Sequence, residues 1–283
     1  MNTPSKNPTF PSLRILPVDR LVPHEKCDEL RTLSLIERLK AEKILRNPPI
    51  VAPMQDAQGN YVVLDGANRT RAFQTMDIPH ILVQVVWPGE PGLNLKTWNQ
   101  VALGATHDEL LAQFGDIPGL MVKLDGGKRL LSDSVDGRSV IQIHLPTGEV
   151  YTVFAPTSDL QCRVEILNII MDRIGKCARM DRTHLDSIDS LTNMYSDLAG
   201  LLVFPRFKNE EIIQLASARQ MIPAGITRFI ISPRALRVNY RLSELSSEKS
   251  LVEKDEALKS WLHVRVTRKG VRSYDETTVL FDE

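Results

Sequence analysis

The strongest candidate for chemistry in this 283-residue chain is the run Asp65-Gly66-Ala67-Asn68-Arg69, with Arg71 close behind. The apolar stretch Tyr61-Val62-Val63-Leu64 reads as a strand leading into Asp65, and Arg69 to Met76 reads as a helix with Ala72 and Phe73 facing inward. A strand-to-helix turn is therefore expected. Gly66 permits close approach of the backbone, and a helix starting near Ala67 aims free N–H groups and the positive end of its dipole at one spot. An anion is stabilised there. Asn68, Arg69 and Arg71 add donors in the first turn, and arginine grips a phosphate with two parallel hydrogen bonds. Two cations at a helix start oppose the dipole, which an anionic ligand relieves. A D-G-x-x-R turn taken alone is equally compatible with Asp65 capping the helix and both arginines being solvated.

Nothing else in the chain forms a chemical pattern by itself. Cys27, Cys162 and Cys177 are odd in number and far apart, with no C-x-x-C pair, so free thiols are expected. The six histidines are scattered at spacings that put no two on one helical face, which gives no structural metal site. With 42% hydrophobic and 25% charged residues, the composition is that of a soluble globular protein with a sizeable core. Lys plus Arg equals Asp plus Glu at 35 each, so the overall balance argues against a nucleic-acid partner. No apolar run approaches the ~20 residues of a membrane-crossing helix. Met1 to Pro11 is polar, holds Pro4, Pro8 and Pro11, and reads as a loose arm rather than a signal peptide, so a cytoplasmic location is expected.

The elements that must position the turn follow from pattern. Leu13 to Pro17 suits a short strand, and Leu21-Val22-Pro23-His24-Glu25 turns the chain. Ser34 and Glu37 have capping-box spacing, which predicts a helix running towards Ile44 and stopped by Asn47-Pro48-Pro49. Ile50 to Ala52 and Ile81 to Val86 are further strands, the latter nearly all apolar and so central. Pro88-Gly89-Glu90-Pro91-Gly92 excludes helix and central strand and makes the best hinge. The predicted fold class is α/β (α+β). The expected division is a flexible arm over residues 1–12, a small domain over 13–87, a larger mixed domain over 93–245 and a charged segment over 246–283. Within the larger domain, Asp108 to Phe114, Asp159 to Cys177 and Asn209 to Ala218 read as helices, the second with Leu160, Val164, Leu167, Ile170 and Ile174 on its core face. Leu120 to Leu124, Ser139 to Leu145, Val150 to Phe154, Leu201 to Phe204 and Ile226 to Ile231 read as strands, and Glu248 to Trp261 as a charged surface helix near a mobile end.

The order Leu21-Val22-Pro23-His24-Glu25, helix, Pro49-Ile50-Val51, then Val63-Leu64-Asp65-Gly66-Ala67-Asn68-Arg69 and Ala72 resembles the ParB/sulfiredoxin-like domain. It is most similar to the branch that holds the free serine kinases and the siderophore-pathway serine kinases. The likeness resumes downstream at Phe204-Pro205, Asn209-Glu210-Glu211, Ile222-Pro223 and Ile226-Thr227-Arg228. The resemblance implies a nucleotide-binding domain over 13–87, ATP or ADP as phosphoryl donor, Mg²⁺, and transfer to the hydroxyl of free L-serine to give O-phosphoserine. Matched position by position, Glu25 corresponds to the acidic residue that acts on the serine hydroxyl, a poor nucleophile that a carboxylate helps by taking its proton. Asp65 corresponds to the aspartate opening the family's turn and is the candidate Mg²⁺ ligand or substrate-orienting group. Gly66, Ala67, Asn68 and Arg69, with Arg71, would hold phosphate, and Thr227 and Arg228 would contact the acceptor carboxylate or the transferred group.

Three departures bear on the reaction. Asn68 stands where many relatives have histidine, which keeps a donor and loses a titratable group. Ala67 stands where sulfiredoxin has its nucleophilic cysteine, which argues against sulfinic acid reduction. Phe229 replaces a histidine common after the Thr-Arg pair. His24 beside Glu25, and Arg234 and Arg237 downstream, read as solvated. The alternative is a ParB-like, ligand-sensing DNA-binding regulator, against which the neutral net charge argues.

Overall fold

The computed structural model describes residues 10–90, 92–125 and 137–274. Residues 1–9 of the expected arm, Pro91 in the expected hinge and residues 275–283 lie outside the described residues. The first part of the chain runs β1 (Ser12–Pro17), β2 (Leu21–Pro23), α1 (Glu29–Glu42), β3 (Ile44–Leu45), β4 (Ile50–Pro53), β5 (Tyr61–Asp65), α2 (Ala67–Thr75) and β6 (His80–Val85). Its five-stranded sheet has the order β1-β6-β4-β5-β2, with β2 parallel to β5, β4 parallel to β6 and the other pairs antiparallel. Both faces are covered, which is why these strands read as nearly continuous apolar runs. The pleat sorts them: Val62 and Leu64 enter one core and Val63 the other, as Ile50 and Ala52 do against Val51.

α1 begins earlier than the Ser34–Glu37 pattern predicts. Asp28 is its N-cap, accepting from the Arg31 N–H at 3.0 Å, and the Asp28 N–H is itself held by Asn68 Oδ1 at 3.0 Å. Leu30 and Leu33, 80% and 60% exposed, break the apolar period over that first turn and hide the start.

The second part comprises β7 (Leu93–Thr97), β8 (Asn99–Leu103), α3 (His107–Ala112), β9 (Met121–Asp125), β10 (Ser139–His144), β11 (Val150–Phe154), α4 (Leu160–Cys177), β12 (Arg179–Thr183), α5 (Asp189–Thr192), β13 (Leu198–Val203), α6 (Asn209–Ser217), β14 (Thr227–Ile231), β15 (Tyr240–Arg241), α7 (Leu242–Ser246) and α8 (Leu251–Thr267). An antiparallel six-stranded sheet, β12-β8-β13-β10-β11-β9, forms its frame. α4 lies against it, capped by Asp159 and burying the predicted face of Leu160, Val164, Leu167, Ile170 and Ile174. Strands β7, β8 and β12 are absent from the sequence-based expectation.

Three crossings tie the later chain to the first part. Residues 24–26 bridge Ile222, with Lys26 N–H donating to the Ile222 carbonyl and Ile222 N–H to the His24 carbonyl, both at 2.9 Å. β15 pairs with β3. α8 packs on β1, burying Leu258 and Lys254, and Asp255 Oδ1 accepts from the Ile15 N–H at 3.2 Å. The expected surface helix at a mobile end is thus a docked helix; Leu251, Leu258, Trp261 and Leu262 reach the core between the charges that disguise it. One core cluster runs from Val22, Ile50 and Leu64 through to Ile141, Leu167 and Phe229, so the segment around Pro88 joins parts packed against each other. No helix among the described residues is long and apolar enough to cross a membrane.

Candidate active site

β5 delivers Asp65 to the end of the first sheet, and Gly66 turns the chain into α2 with φ at 100°. A Cβ there would sit 3.0 Å from Pro49 Cα and 3.1 Å from Arg69 Cζ, so both the dihedral and the space require glycine. No side chain caps α2, and Gly66, Ala67, Asn68 and Arg69 line a cleft of about 1120 Å³. The turn thus offers first-turn N–H groups to the cleft.

The arginines around it divide. Arg69 donates through Nη1 to the Asn47 and Pro48 carbonyls at 2.6 and 3.1 Å, and through Nη2 to Asp65 Oδ2 at 2.9 Å. Its first effect is to lock the turn onto the loop before β4; Nε and one Nη2 hydrogen remain for an anion. Arg234, read from the sequence as solvated, instead bonds Asp65 Oδ2 from the far side. Burial pushes the Asp65 carboxyl up, but the two guanidinium groups outweigh it and hold it below the usual carboxylate range. Asn68 turns Oδ1 towards α1, where it accepts from the Asp28 N–H, and the residue lines the cleft. Arg71 is exposed on the outer face of α2 and does not line the cleft, because it sits two positions on from Arg69, where a helix turns a side chain away.

β2, parallel to β5 with Pro23 beside Val63, brings Glu25 to the same sheet end as Asp65, where Gly225 and Thr227, the first residue of β14, receive it. Its Oε1 accepts from the Thr227 N–H at 2.6 Å and from the Thr227 hydroxyl, and its Oε2 from the Gly225 N–H at 3.1 Å. His24 corrects the sequence expectation: it is 3% exposed, with Nδ1 2.5 Å from the Val63 carbonyl and Nε2 2.7 Å from Thr227 Oγ1. Phe229 stands edge-on to its ring at 5.7 Å. Burial lowers the His24 pKa against the raising effects of Glu25, the Val63 carbonyl and Asp65, and the ring braces Val63 to Thr227. Arg228 lies over the Trp98 ring at 4.2 Å, a stack that fixes its plane at the cleft wall. Cys27 is no thiolate; burial pushes its pKa up.

The structure therefore gathers Glu25, Asp65, Gly66, Ala67, Asn68, Arg69, Thr227 and Arg228 around one cleft and leaves Arg71 outside. Residues missed in the sequence are His24 as a brace, Trp98, Arg182 and Arg234, all of them lining the same cleft. Its charged lining holds Lys26, Arg31, Arg38, Arg46, Arg69, Arg182, Arg228 and Arg234 against Glu25, Asp28, Glu42 and Asp65. A chain neutral overall thus concentrates positive charge here, which suits a polyanionic ligand.

Comparison with known proteins bears on this geometry. No protein-family model matches the chain. It is 22% identical over 273 residues to a protein of Staphylococcus aureus named ATP-dependent L-serine kinase SbnI, covering 96% of this chain and 97% of that one. An ATP-dependent L-serine kinase of Staphylothermus marinus is 23% identical over 220 residues, 77% of this chain and 84% of that one. Among solved structures, C-terminally truncated SbnI from Staphylococcus aureus superposes with a TM-score of 0.69 at 21% identity, over 91% of this chain and 97% of that one. A free serine kinase in complex with AMP gives a TM-score of 0.68 at 14% identity, over 86% and 98%. The chain has their fold. The mixed α/β architecture expected from the sequence is thus that of serine kinase structures.

Proposed function

We propose that this protein transfers the γ-phosphoryl group of ATP to the hydroxyl of free L-serine, forming O-phospho-L-serine and ADP. The observation that carries this reading is that Glu25, held by Gly225 and Thr227, shares one cationic cleft with the Asp65–Arg69 turn. In this reading, residues 13–87 are a ParB/sulfiredoxin-like nucleotide-binding domain, and residues 93–245 complete the acceptor site. The relatives named above are ATP-dependent, which favours ATP over ADP as donor.

The chemistry follows from the groups present. Phosphoryl transfer needs positioning and charge stabilisation more than covalent help. The first-turn N–H groups of α2, the Asn68 amide and the free hydrogens of Arg69 and Arg234 face the donor phosphates. Glu25 Oε2 accepts one protein hydrogen bond, from Gly225, and has a lone pair for the serine O–H. As the serine oxygen bonds to phosphorus and the bond to the ADP oxygen breaks, the hydroxyl proton passes to Glu25. Three donors, the Thr227 N–H and hydroxyl and the Gly225 N–H, fix the orientation of this carboxylate. Thr227 orients Glu25, and Arg228, stacked on Trp98, walls the acceptor side.

No group of three or more His, Cys, Asp or Glu among the described residues forms a ready metal cage. The donor set would suit Mg²⁺ held by a single carboxylate. Asp65 would hold it through Oδ1, the oxygen that neither Arg69 nor Arg234 engages. The ion supplies neutralisation of charge on the β- and γ-phosphates.

The test is to incubate the protein with Mg²⁺, L-serine and either ATP or ADP and to follow O-phosphoserine by ³¹P NMR. Product is expected with ATP, and Glu25→Gln is expected to lower kcat by about 10²- to 10⁴-fold. Absence of product with both nucleotides, or full activity in the Gln variant, refutes the reading.

A further inference from the structure

The proposed kinase reaction leaves Arg182 of the cleft without a role. Arg182 lies on β12, an edge strand, opposite Gln100 of β8. Its guanidinium rests flat against the backbone of Gly225: φ there is 76°, and a Cβ on residue 225 would overlap Nε, Cζ and Nη2 of Arg182. The same Gly225 donates its N–H to Glu25 Oε2. The glycine therefore serves two neighbours at once, admitting Arg182 on one side and holding Glu25 on the other.

Unlike Arg69, Arg163 and Arg234, which bond carboxylates, the guanidinium of Arg182 makes no hydrogen bond or ion pair among the described residues. Its surroundings include a second guanidinium, that of Arg31 on α1, whose own partner is Asp28 at 3.3 Å. Withdrawal from bulk water by the cleft walls, and then the charge of Arg31, lower the Arg182 pKa, while Glu25, Asp28 and Asp65 raise it. Two like charges facing one space are favourable once an anion lies between them. The turn at Asp65 to Arg69 already offers a phosphate site; Arg182 sits on Gly225, which holds the base Glu25. A serine whose hydroxyl meets Glu25 Oε2 carries its carboxylate one Cβ–Cα link away, within reach of a guanidinium seated on Gly225.

We propose that Arg182 binds the α-carboxylate of the amino-acid acceptor and so makes the site select a free amino acid over other small hydroxyl compounds. This rests on the serine kinase reading, which supplies the acceptor. The ligand chemistry, an oxyanion held two-pronged by a guanidinium, is shared with the transferred phosphoryl group, so the experiment separates the two sources.

The measurements are calorimetric titration of L-serine and of ADP into wild type, Arg182→Ala and Arg182→Lys, and kinetics with L-serine against L-serinamide. For Arg182→Ala, the expected result is a Kd and KM for L-serine raised about 10- to 100-fold, with the ADP Kd within about 2-fold of wild type. Arg182→Lys should recover part of the loss, and L-serinamide should bind equally weakly to wild type and to the Ala variant. Thermal melting reports that the variants are folded. The proposal is overturned if serine affinity is unchanged, if serine and serinamide lose affinity equally, or if ADP affinity falls with it, which would make Arg182 a phosphate ligand. Arg182-dependent serine binding without any O-phosphoserine would refute the kinase reading and leave this site standing. O-phosphoserine formed with an unaltered KM for serine would do the reverse.

Discussion

The two ends of the cleft are built in opposite ways. The phosphate end is one stretch of chain, Asp65 to Arg69, stiffened by an i,i+4 pair between Asp65 and Arg69 and anchored to the adjacent Asn47 and Pro48 carbonyls. The acceptor end is a corner assembled from residues 24–25, 182 and 225–228, drawn together by the backbone bonds of His24 and Lys26 with Ile222, by those of Glu25 with Gly225 and Thr227, and by the pairing of β12 with β8. The first is a local motif that carries its own rigidity. The second borrows rigidity from long-range packing.

That contrast can be broken most sharply at the arginines of the turn. Arg69→Ala removes the partner of two backbone carbonyls and one of the two partners of Asp65, and is expected to destabilise the fold by about 1–3 kcal/mol, read as a lowered denaturation midpoint. Arg234→Ala, at 36% side-chain exposure against 18% for Arg69, should leave the midpoint nearly unchanged and raise the KM for ATP about 10-fold. If Arg234→Ala unfolded the protein as readily as Arg69→Ala, the division between an anchoring and a ligand-facing arginine would fail.

The same contrast explains what could be read without coordinates. The turn was legible because strand, glycine and helix start follow one another, and β10, β11 and α4 were legible because their apolar residues keep a clean period. β12 was not, since Arg179-Met180-Asp181-Arg182-Thr183 is a polar edge strand with no alternation to see, and Arg182 was hidden with it. His24 looked like a solvent neighbour of Glu25; only the arrival of Thr227 and Phe229 from the other half buries it. Arg234 likewise meets Asp65 across 169 positions of sequence. The resemblance to serine kinases selected Glu25 and Thr227 separately as site residues; that they bond each other is visible only in the fold.

Acid should separate the two ends by pH. His24 has its folded pKa lowered by burial, so the folded state holds fewer protons than the unfolded chain near the ordinary imidazole value of about 6.5. Its contribution to stability is present above that value and is lost as pH falls below it towards the folded pKa. Asp65 is also lowered, by Arg69 and Arg234 against the effect of burial, but its contribution is lost only as pH falls below the ordinary carboxylate value of about 3.9. The corner is thus expected to weaken first. Denaturation midpoints measured from pH 7 to pH 5 should fall in wild type and fall less in His24→Gln; equal slopes would remove His24 as the source.

The smallest effect belongs to the one predicted phosphate ligand outside the cleft. Arg71 shares the first turns of α2 with Arg69, and its charge near a helix start was one reason to expect an anion there. In the fold its side chain is exposed on the outer face. Arg71→Ala should change the KM for ATP by less than about 2-fold and stability by no more than about 0.5 kcal/mol. Removing a cation from a helix N-terminus is itself mildly favourable to the dipole, which offsets the lost long-range attraction for the nucleotide and keeps the net change small. A 10-fold rise in KM would mean that α2 rolls its outer face towards the phosphates when ATP binds. The turn would then be less rigid than its bonds to Asn47 and Pro48 imply, and the distinction between a stiff phosphate end and an assembled acceptor corner would have to be redrawn.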